Sequence, residues 1–423
     1  MRPDAREPDN GTIPCDVAII GASFSGNYLA WRLAKQGFDV HVIEAHRDVG
    51  HPMKCAGIVS GKILNLLPIP ARLVLDHVGT AIIRGPDGET IPITTRDQPV
   101  VLDRIGLDKY LYARAAGLGA TFHLGERATG FERAWDGIVI TTSKHVFRTK
   151  IVVGCDGAHS AVAKWNGVTN RFITGKQIIV DVAATPEIAR LPPRACELCF
   201  HPAWKDLFAW IIPAGKTVYR IGMARADNVS AAFSRFLSWR FGVRAEGFLN
   251  ETEHHVLART GGTIPIGLMK PCAFDRAILV GDAACQVKAT TGGGIVMALS
   301  AANIAANAIV KCVATGDFSK NNLRRWYQRS CSGLARTLKV HYIVHEALGR
   351  FSREDFSKLF SIASNPSVRA ELLRSADMDF PLRFLLRLMA NRHFLSWLLS
   401  FASKNVPFLV LATRAFLGNK ENV

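Results

Sequence analysis

"IPCDVAIIGASFSGNYLAWRLAKQGFDVHVIE", Ile13 to Glu44, is the stretch on which the fold turns. Ile13–Ile20 is short, apolar and β-branched, as a buried strand requires. Gly21–Gly26 follows, and "NYLAWRLAKQG" then has helical periodicity with a glycine stop at Gly37. A second apolar run, "FDVHVIE", ends in Glu44. Strand, glycine turn, helix, strand and acid, in that order, form the dinucleotide-binding unit. The chain must turn tightly at Gly21, and the helix must approach the strand closely at Gly26. Helix N-terminal amides then face a pyrophosphate, and Glu44 stands where a carboxylate accepts hydrogen bonds from a ribose. Ser23 replaces the usual middle glycine. An acid at position 44 argues against a 2′-phosphate there.

A second glycine turn lies near the other end of the chain. In "RAILVGDAACQVKATTGGGIVMALSAANIAANAIV", Arg276 to Val310, a strand at Ala277–Val280 ends in Gly281-Asp282, and a helix opens at about Gly293. The acid at the strand end suits a sugar or ribityl hydroxyl, and the glycine amides offer another anion site. Two such turns from opposite ends of one chain enclose one long cofactor. FAD needs both, with a pyrophosphate at one turn and a flavin–ribityl arm at the other. Between them, "VLDRIGLDKYLYARAAGLGATF" puts Asp103-Arg104 before an amphipathic helix, and "IVVGCDGAHSAV" ends a strand in Asp156-Gly157.

The totals agree with a globular chain. The 423 residues are 48% hydrophobic and 21% charged, a length that suggests two or three domains. Nine cysteines at irregular spacing, behind a polar "MRPDAREPDNGT" that reads as a disordered lead-in, point to reduced thiols and a cytoplasmic protein. A net charge of +17 favours anionic partners such as an acidic lipid surface. Nucleic acid is disfavoured, because no finger spacing, basic arm or ribonucleoprotein-type aromatic motif occurs. No metal site is expected: Cys196-x-x-Cys199 has no second pair, and His159, His254 and His255 lack partners at ligand spacing. Strand positions three apart also face opposite sides, which disfavours a disulfide between Cys196 and Cys199.

Taken together, these stretches resemble the flavoprotein group that includes aromatic hydroxylases, and more closely the geranylgeranyl reductase family. The matching residues are "CAGIVS" at Cys55–Ser60, "DR" at Asp103, the triple glycine of "GDAACQVKATTGGGI", and "FAWIIP" at Phe208–Pro213. The last is similar to that family's Tyr-x-Trp-x-Phe-Pro motif, with Phe208 for the tyrosine and Ile212 for the second aromatic. Hydroxylases place proline where this chain has Ala289. The resemblance implies an FAD-dependent reductase of carbon–carbon double bonds. Gly21, Ser25 and Gly26 are implied at the first turn, Glu44 at the adenosine ribose, and Cys55, Ala56 and Ile58 at the flavin edge. Arg104 is implied at the ribityl or phosphate arm, Ala128 at the adenine, Asp282 at ribityl or pyrophosphate, and Gly294 and Ile295 at the isoalloxazine. Phe208 and Trp210 are implied at the substrate. Cys55 is the candidate catalytic group, a proton donor beside the flavin whose neighbour Lys54 favours a lowered thiol pKa.

The expected fold class is α/β. A Rossmann-like FAD-binding domain spans 13–176 and 276–315, an inserted antiparallel β-sheet substrate domain spans 177–275, and a helical region spans 316–423, with 1–12 as the lead-in. Phe208, Trp210, Phe233 and Phe236 are candidate apolar lining for an isoprenoid chain. From Pro381 the chain is rich in Leu, Phe and Trp but interrupted by Arg383, Arg387, Arg392, Lys404 and Arg414, a pattern suited to the interface of an anionic membrane. The expectation is therefore a peripheral membrane enzyme acting on digeranylgeranylglycerophospholipids, with ferredoxin or NADPH as electron donor. Rivals are a geranylgeranyl diphosphate or chlorophyll-type reductase, a flavin monooxygenase, and a flavin-free prenyl-binding escort.

Overall fold

Burial of β-branched runs sets the centre of the molecule. In the computed structural model, which describes residues 11–94, 98–181, 191–242, 256–375 and 377–417, Val17, Ala18 and Ile19 are fully buried in the strand Thr12–Ile20. That strand pairs in parallel with Val40–Glu44 on one side and Val146–Gly154 on the other. Ala277–Leu279 extends the sheet in parallel beyond Val146–Gly154, and Thr121–Leu124 does so beyond Val40–Glu44. An antiparallel hairpin of Ala128–Arg133 and Ile138–Thr142, together with Ala273–Phe274, completes eight strands. The continuous apolar character of the inner strands follows from helices covering them. Phe24–Ala34, Arg104–Ala116 and Ile295–Thr315 all contribute to this one core. Most of the long apolar helix Ile295–Thr315 is buried there.

A second sheet of seven strands runs in the order Val256–Pro265, Phe172–Asp181, Val218–Arg225, Ala209–Pro213, Ala195–Cys199, Thr80–Arg84, Thr90–Thr94. Its pairs are antiparallel except Ala195–Cys199 with Thr80–Arg84, which is parallel. The strands at 80–94 come from within the 13–176 segment expected to be FAD-binding, so this sheet is not confined to the expected 177–275: long-range pairing with Ala195–Cys199 draws them in. Alternation along Ala209–Pro213 separates two apolar cores. Phe208, Trp210 and Ile212 join one, which also holds Ala289, while Ala209 and Ile211 join the other. Phe233 and Phe236, on the helix Val229–Phe241, belong to the second core and are fully buried. They therefore hold that helix against the sheet and do not share the side on which Trp210 stands. Cys196 and Cys199 are divided between the same two cores, and all nine cysteines are free thiols.

The C-terminal part is helical. Ser332–Leu348, Arg353–Ser364, Pro366–Ser375, Leu382–Met389, Arg392–Lys404 and Val406–Leu417 follow one another. Ser352 and Asp355 form a reciprocal capping box at the start of Arg353–Ser364. Phe351, Phe356, Trp397, Phe401 and Phe408 build a separate aromatic core. The last two helices meet at a bend of 103°, and neither of them, at 13 and 12 residues, is long enough to cross a membrane. Residues 1–10, His254 and His255 lie outside the described residues.

Candidate active site

The first turn is built by steric exclusion. Gly21 has φ +105°, and a Cβ there would stand 2.5 Å from the Cys155 carbonyl oxygen. A Cβ on Gly26 would overlap the Gly21 carbonyl oxygen. Only glycine lets the strand end, the helix start and the Cys155 turn share that space. Asn27 ties the turn to the next helix, donating through Nδ2 to Ala22 O at 2.9 Å and to Asp108 O at 3.0 Å. Glu44 fastens the same turn: its Oε2 accepts from the Ala22 amide at 2.8 Å and its Oε1 from the His46 amide at 2.8 Å. Each carboxylate oxygen takes two hydrogen bonds, so Oε2 keeps capacity for a further donor.

The two glycine turns, distant in sequence, meet in space. A Cβ on Gly281 would lie 3.2 Å from Ser25 Oγ and 3.6 Å from Ala298 Cβ. Gln286 Oε1 accepts from the Gly281 amide at 2.6 Å, and Gln286 donates to Tyr327 OH, which donates to Leu279 O. This buried relay pins the second turn from behind. Asn170 Nδ2 donates to the carbonyls of Asp282 and Ala283, both at 3.1 Å. A Cβ on Gly294 would stand 3.2 Å from Asp282 Oδ1. Ile295 begins the long helix immediately after Gly294.

Arg104 is the hub of the cradle. It is buried, its Nη2 donates to both oxygens of Asp108 at 3.0 and 3.3 Å, and its guanidinium lies 5.3 Å from the centre of the Phe24 ring. Nε and Nη1 are buried without a hydrogen-bond partner. Burial works against its charge, and Asp108 and Cys55 beside it hold the pKa above the ordinary value. Burial pushes Asp108 up to about 6 even though Arg104 opposes it. Asp282 is likewise pushed up to about 6 by burial, with Arg104 again the opposing charge. Two buried cationic donors without acceptors, a buried carboxylate that resists ionisation and a glycine-lined cradle suit an anionic, hydroxyl-bearing ligand. They fit the pyrophosphate and ribityl arm of FAD.

Cys55 stands beside Arg104, in a loop clamped between the sheets. Its Sγ accepts from the Gly57 amide at 3.3 Å. Arg220, from the second sheet, donates through Nη1 to Ala56 O at 2.7 Å and to Leu102 O at 3.3 Å. Thr260 Oγ1 donates to Met53 O, and a Cβ on Gly262 would sit 3.0 Å from Lys54 Cβ. Ala56 and Ile58 pack against the core that holds Phe208 and Trp210. Trp210 is kept in place by Nε1 donating to Gln177 Oε1 at 2.9 Å. Ala128 lies apart from this end, where Ala128–Arg133 begins, paired with Thr142.

Arg220, Gln177, Asn170 and Gln286 carry no local signal in the sequence. Each has a partner more than 30 positions away. Lys288 belongs with them. Its Nζ is buried and donates to Asp379 Oδ1 at 2.7 Å and to Met378 O at 3.1 Å. Thr290 Oγ1 lies 2.6 Å from His341 Nδ1. The triple-glycine loop is therefore held by the C-terminal helices. Next to it is a cavity of about 10 Å³, room for little more than one water, whose wall mixes Phe200, Leu207, Phe208, Leu348 and Phe356 with His201, Lys205, Asp206, Thr290 and His345.

The chain is similar to known proteins in sequence and in fold. Residues 19–78 match the NAD(P)-binding Rossmann-like domain, and residues 89–338 match the FAD binding domain. The digeranylgeranylglycerophospholipid reductase of Methanocella arvoryzae is 26% identical over 355 residues, covering 80% of this chain and 88% of that protein. Its namesake from Methanocaldococcus jannaschii is 28% identical over 347 residues, 78% and 87% of the two chains. A geranylgeranyl bacteriochlorophyll reductase-like protein from Thermoplasma acidophilum has the same fold, with a TM-score of 0.78 at 21% identity over 94% of this chain and 100% of that one.

Proposed function

The chain belongs to the FAD binding domain family and is a flavin-dependent oxidoreductase, and from that premise we propose that it saturates the double bonds of geranylgeranyl chains carried on a glycerophospholipid. One observation carries the reading. The loop of Cys55, Ala56 and Ile58 shares an apolar core with Phe208, Trp210 and Ile212 of the second sheet. A long isoprenoid requires such a lining close to the redox centre. The names of the curated relatives agree with this substrate class.

Bound FAD supplies the hydride for one alkene carbon. The neighbouring carbon needs a proton, and an isolated alkene has no carbonyl to polarise, so position decides the reaction. Cys55 Sγ holds the proton. The Gly57 amide and the Arg220 clamp fix the loop that carries it. Arg104 and Asp282 bind the cofactor arm, and Trp210, locked by Gln177, keeps water from the alkene side.

The enzyme works at an anionic membrane surface. Phe380 is exposed in the turn before the last helices, and Leu382, Leu386, Met389, Leu399 and Val406 are exposed on them, with Arg383, Arg392 and Lys404 exposed among them. Apolar residues interleaved with cations suit a headgroup boundary. The electron donor is ferredoxin or NADPH, which assays with each distinguish. The decisive experiment expresses the chain in a host that makes unsaturated ether lipids and weighs the lipids by mass spectrometry. Gains of two hydrogens per double bond are the expected result; unchanged lipid masses with a flavin-loaded protein overturn the reading.

A further inference from the structure

The outer edge of the nucleotide sheet carries a cluster that the redox chemistry does not use. His123 sits on the edge strand Thr121–Leu124, Glu126 in the loop that follows, and His145 in the turn between Ile138–Thr142 and Val146–Gly154. Glu126 is buried and accepts from Thr142 Oγ1. His145 Nδ1 lies 3.0 and 3.1 Å from its two oxygens, and His123 Nδ1 lies 3.8 Å from Oε2. The three candidate ligand atoms fall within 4.8 Å of one another. A tetrahedral zinc ion with bonds near 2.1 Å needs ligand atoms roughly 3.3 Å apart, so small rotamer shifts complete the set.

The surroundings complete the argument. His123 Nε2 lies 3.0 Å from His41 Nδ1, and His41 Nε2 lies 3.3 Å from Asp39 Oδ1. With Nε2–H of His123 donating to His41, Nδ1 of His123 presents its lone pair toward Glu126, the outer-shell arrangement that orients a ligating imidazole. The fully buried Phe147 ring packs under all three imidazoles of this cluster. His145 is about half exposed, which leaves a coordination position open to water.

We propose that His123, Glu126 and His145 bind a zinc-type divalent metal ion, with His41 and Asp39 orienting His123 from behind. Two imidazole nitrogens and one carboxylate are a borderline donor set that selects such ions over calcium or magnesium. The role is structural. The Glu126 amide donates to Glu44 O at 2.8 Å and the Gly125 amide to His46 O at 2.9 Å, so the ion ties the hairpin turn to the loop behind the Glu44 end of the cradle. The site owes nothing to the lipid reading and stands or falls separately from it.

The test uses the full-length, FAD-loaded protein freed of metal by a chelator, titrated calorimetrically with Zn²⁺ and spectroscopically with Co²⁺. One equivalent binds, the cobalt spectrum is that of N and O ligands without a sulfur charge-transfer band, and Zn²⁺ raises Tm. H123A, E126Q and H145A each weaken binding by about 10-fold or more, and H41A by about 10-fold at unchanged stoichiometry. Flavin absorbance of H145A, unchanged from wild type, confirms that this half-exposed site tolerates the substitution. The proposal is overturned by failure to bind one equivalent, by a thiolate band, or by binding that survives the H123A/H145A pair.

Discussion

At the residue scale, Cys55 and Asp282 are the two informative positions. Cys55 lies beside Arg104, and its Sγ accepts from the Gly57 amide, so the thiol is held at the cradle. Cys55→Ala is expected to keep bound FAD, seen by its absorbance, while alkene reduction falls at least 100-fold; full turnover removes the thiol from the reaction. Asp282 tests the cradle through pH. Its folded pKa is about 6 against an ordinary 3.8, because burial disfavours the anion. The folded state therefore holds the proton more tightly than the unfolded one. The contribution to stability is greatest below pH 4 and is lost as pH rises through 6. In the flavin-free protein, Asp282→Asn abolishes this loss and gains about 3 kcal/mol near pH 7 relative to wild type. Denaturant melts at pH 4 and pH 7 give the comparison, and equal pH dependence in both proteins contradicts the assignment.

At the scale of elements, the turn between Pro366–Ser375 and Leu382–Met389 is the unexpected contributor. It places Asp379 against Lys288 beneath the triple-glycine loop, and Lys62 pairs with Asp377 at 2.6 Å in the same turn. Removing Asp379 leaves a buried ammonium unpaired, a cost of about 3–5 kcal/mol. Asp379→Ala should therefore lower Tm markedly and weaken FAD. The double variant Lys288→Met, Asp379→Leu should regain most of the lost stability, since neither charge is then buried alone. A double variant as unstable as the single one shows that the pair acts through something other than desolvation. The aromatic core of Phe351, Trp397 and Phe401 explains why this helical part is firm enough to carry the turn.

At the scale of the whole molecule, charge and exposed apolar surface are joined. On the proposed membrane reading, the net charge of +17 would draw the chain to an acidic surface from a distance, and the exposed row from Leu382 to Val406 would insert. Binding to anionic vesicles should fall steeply with salt, because screening shortens the reach of the field. Leu386→Glu with Leu399→Glu should cut vesicle binding about 10-fold or more without moving Tm, since both side chains are exposed. Equal binding to neutral vesicles at high salt removes the electrostatic part.

How far the chain could be read without its fold depended on the range of each interaction. Gly21, Gly26, Glu44 and the Asp282–Gly294 turn were legible because strand, turn and helix each depend on neighbours along the chain, and their order leaves few topologies. The helical end and the free thiols at Cys196 and Cys199 were legible for the same reason. The two strands at 80–94, the opposite facing of Phe233 and Trp210, the Arg220 clamp, the Lys288–Asp379 pair and the His123–Glu126–His145 cluster were not. Each joins segments that periodicity treats as independent, and a buried polar or charged group acquires its partner only when those segments pack. Local sequence determined the cofactor cradle; tertiary packing alone decided what surrounds it, because desolvation and pairing are properties of the folded interior.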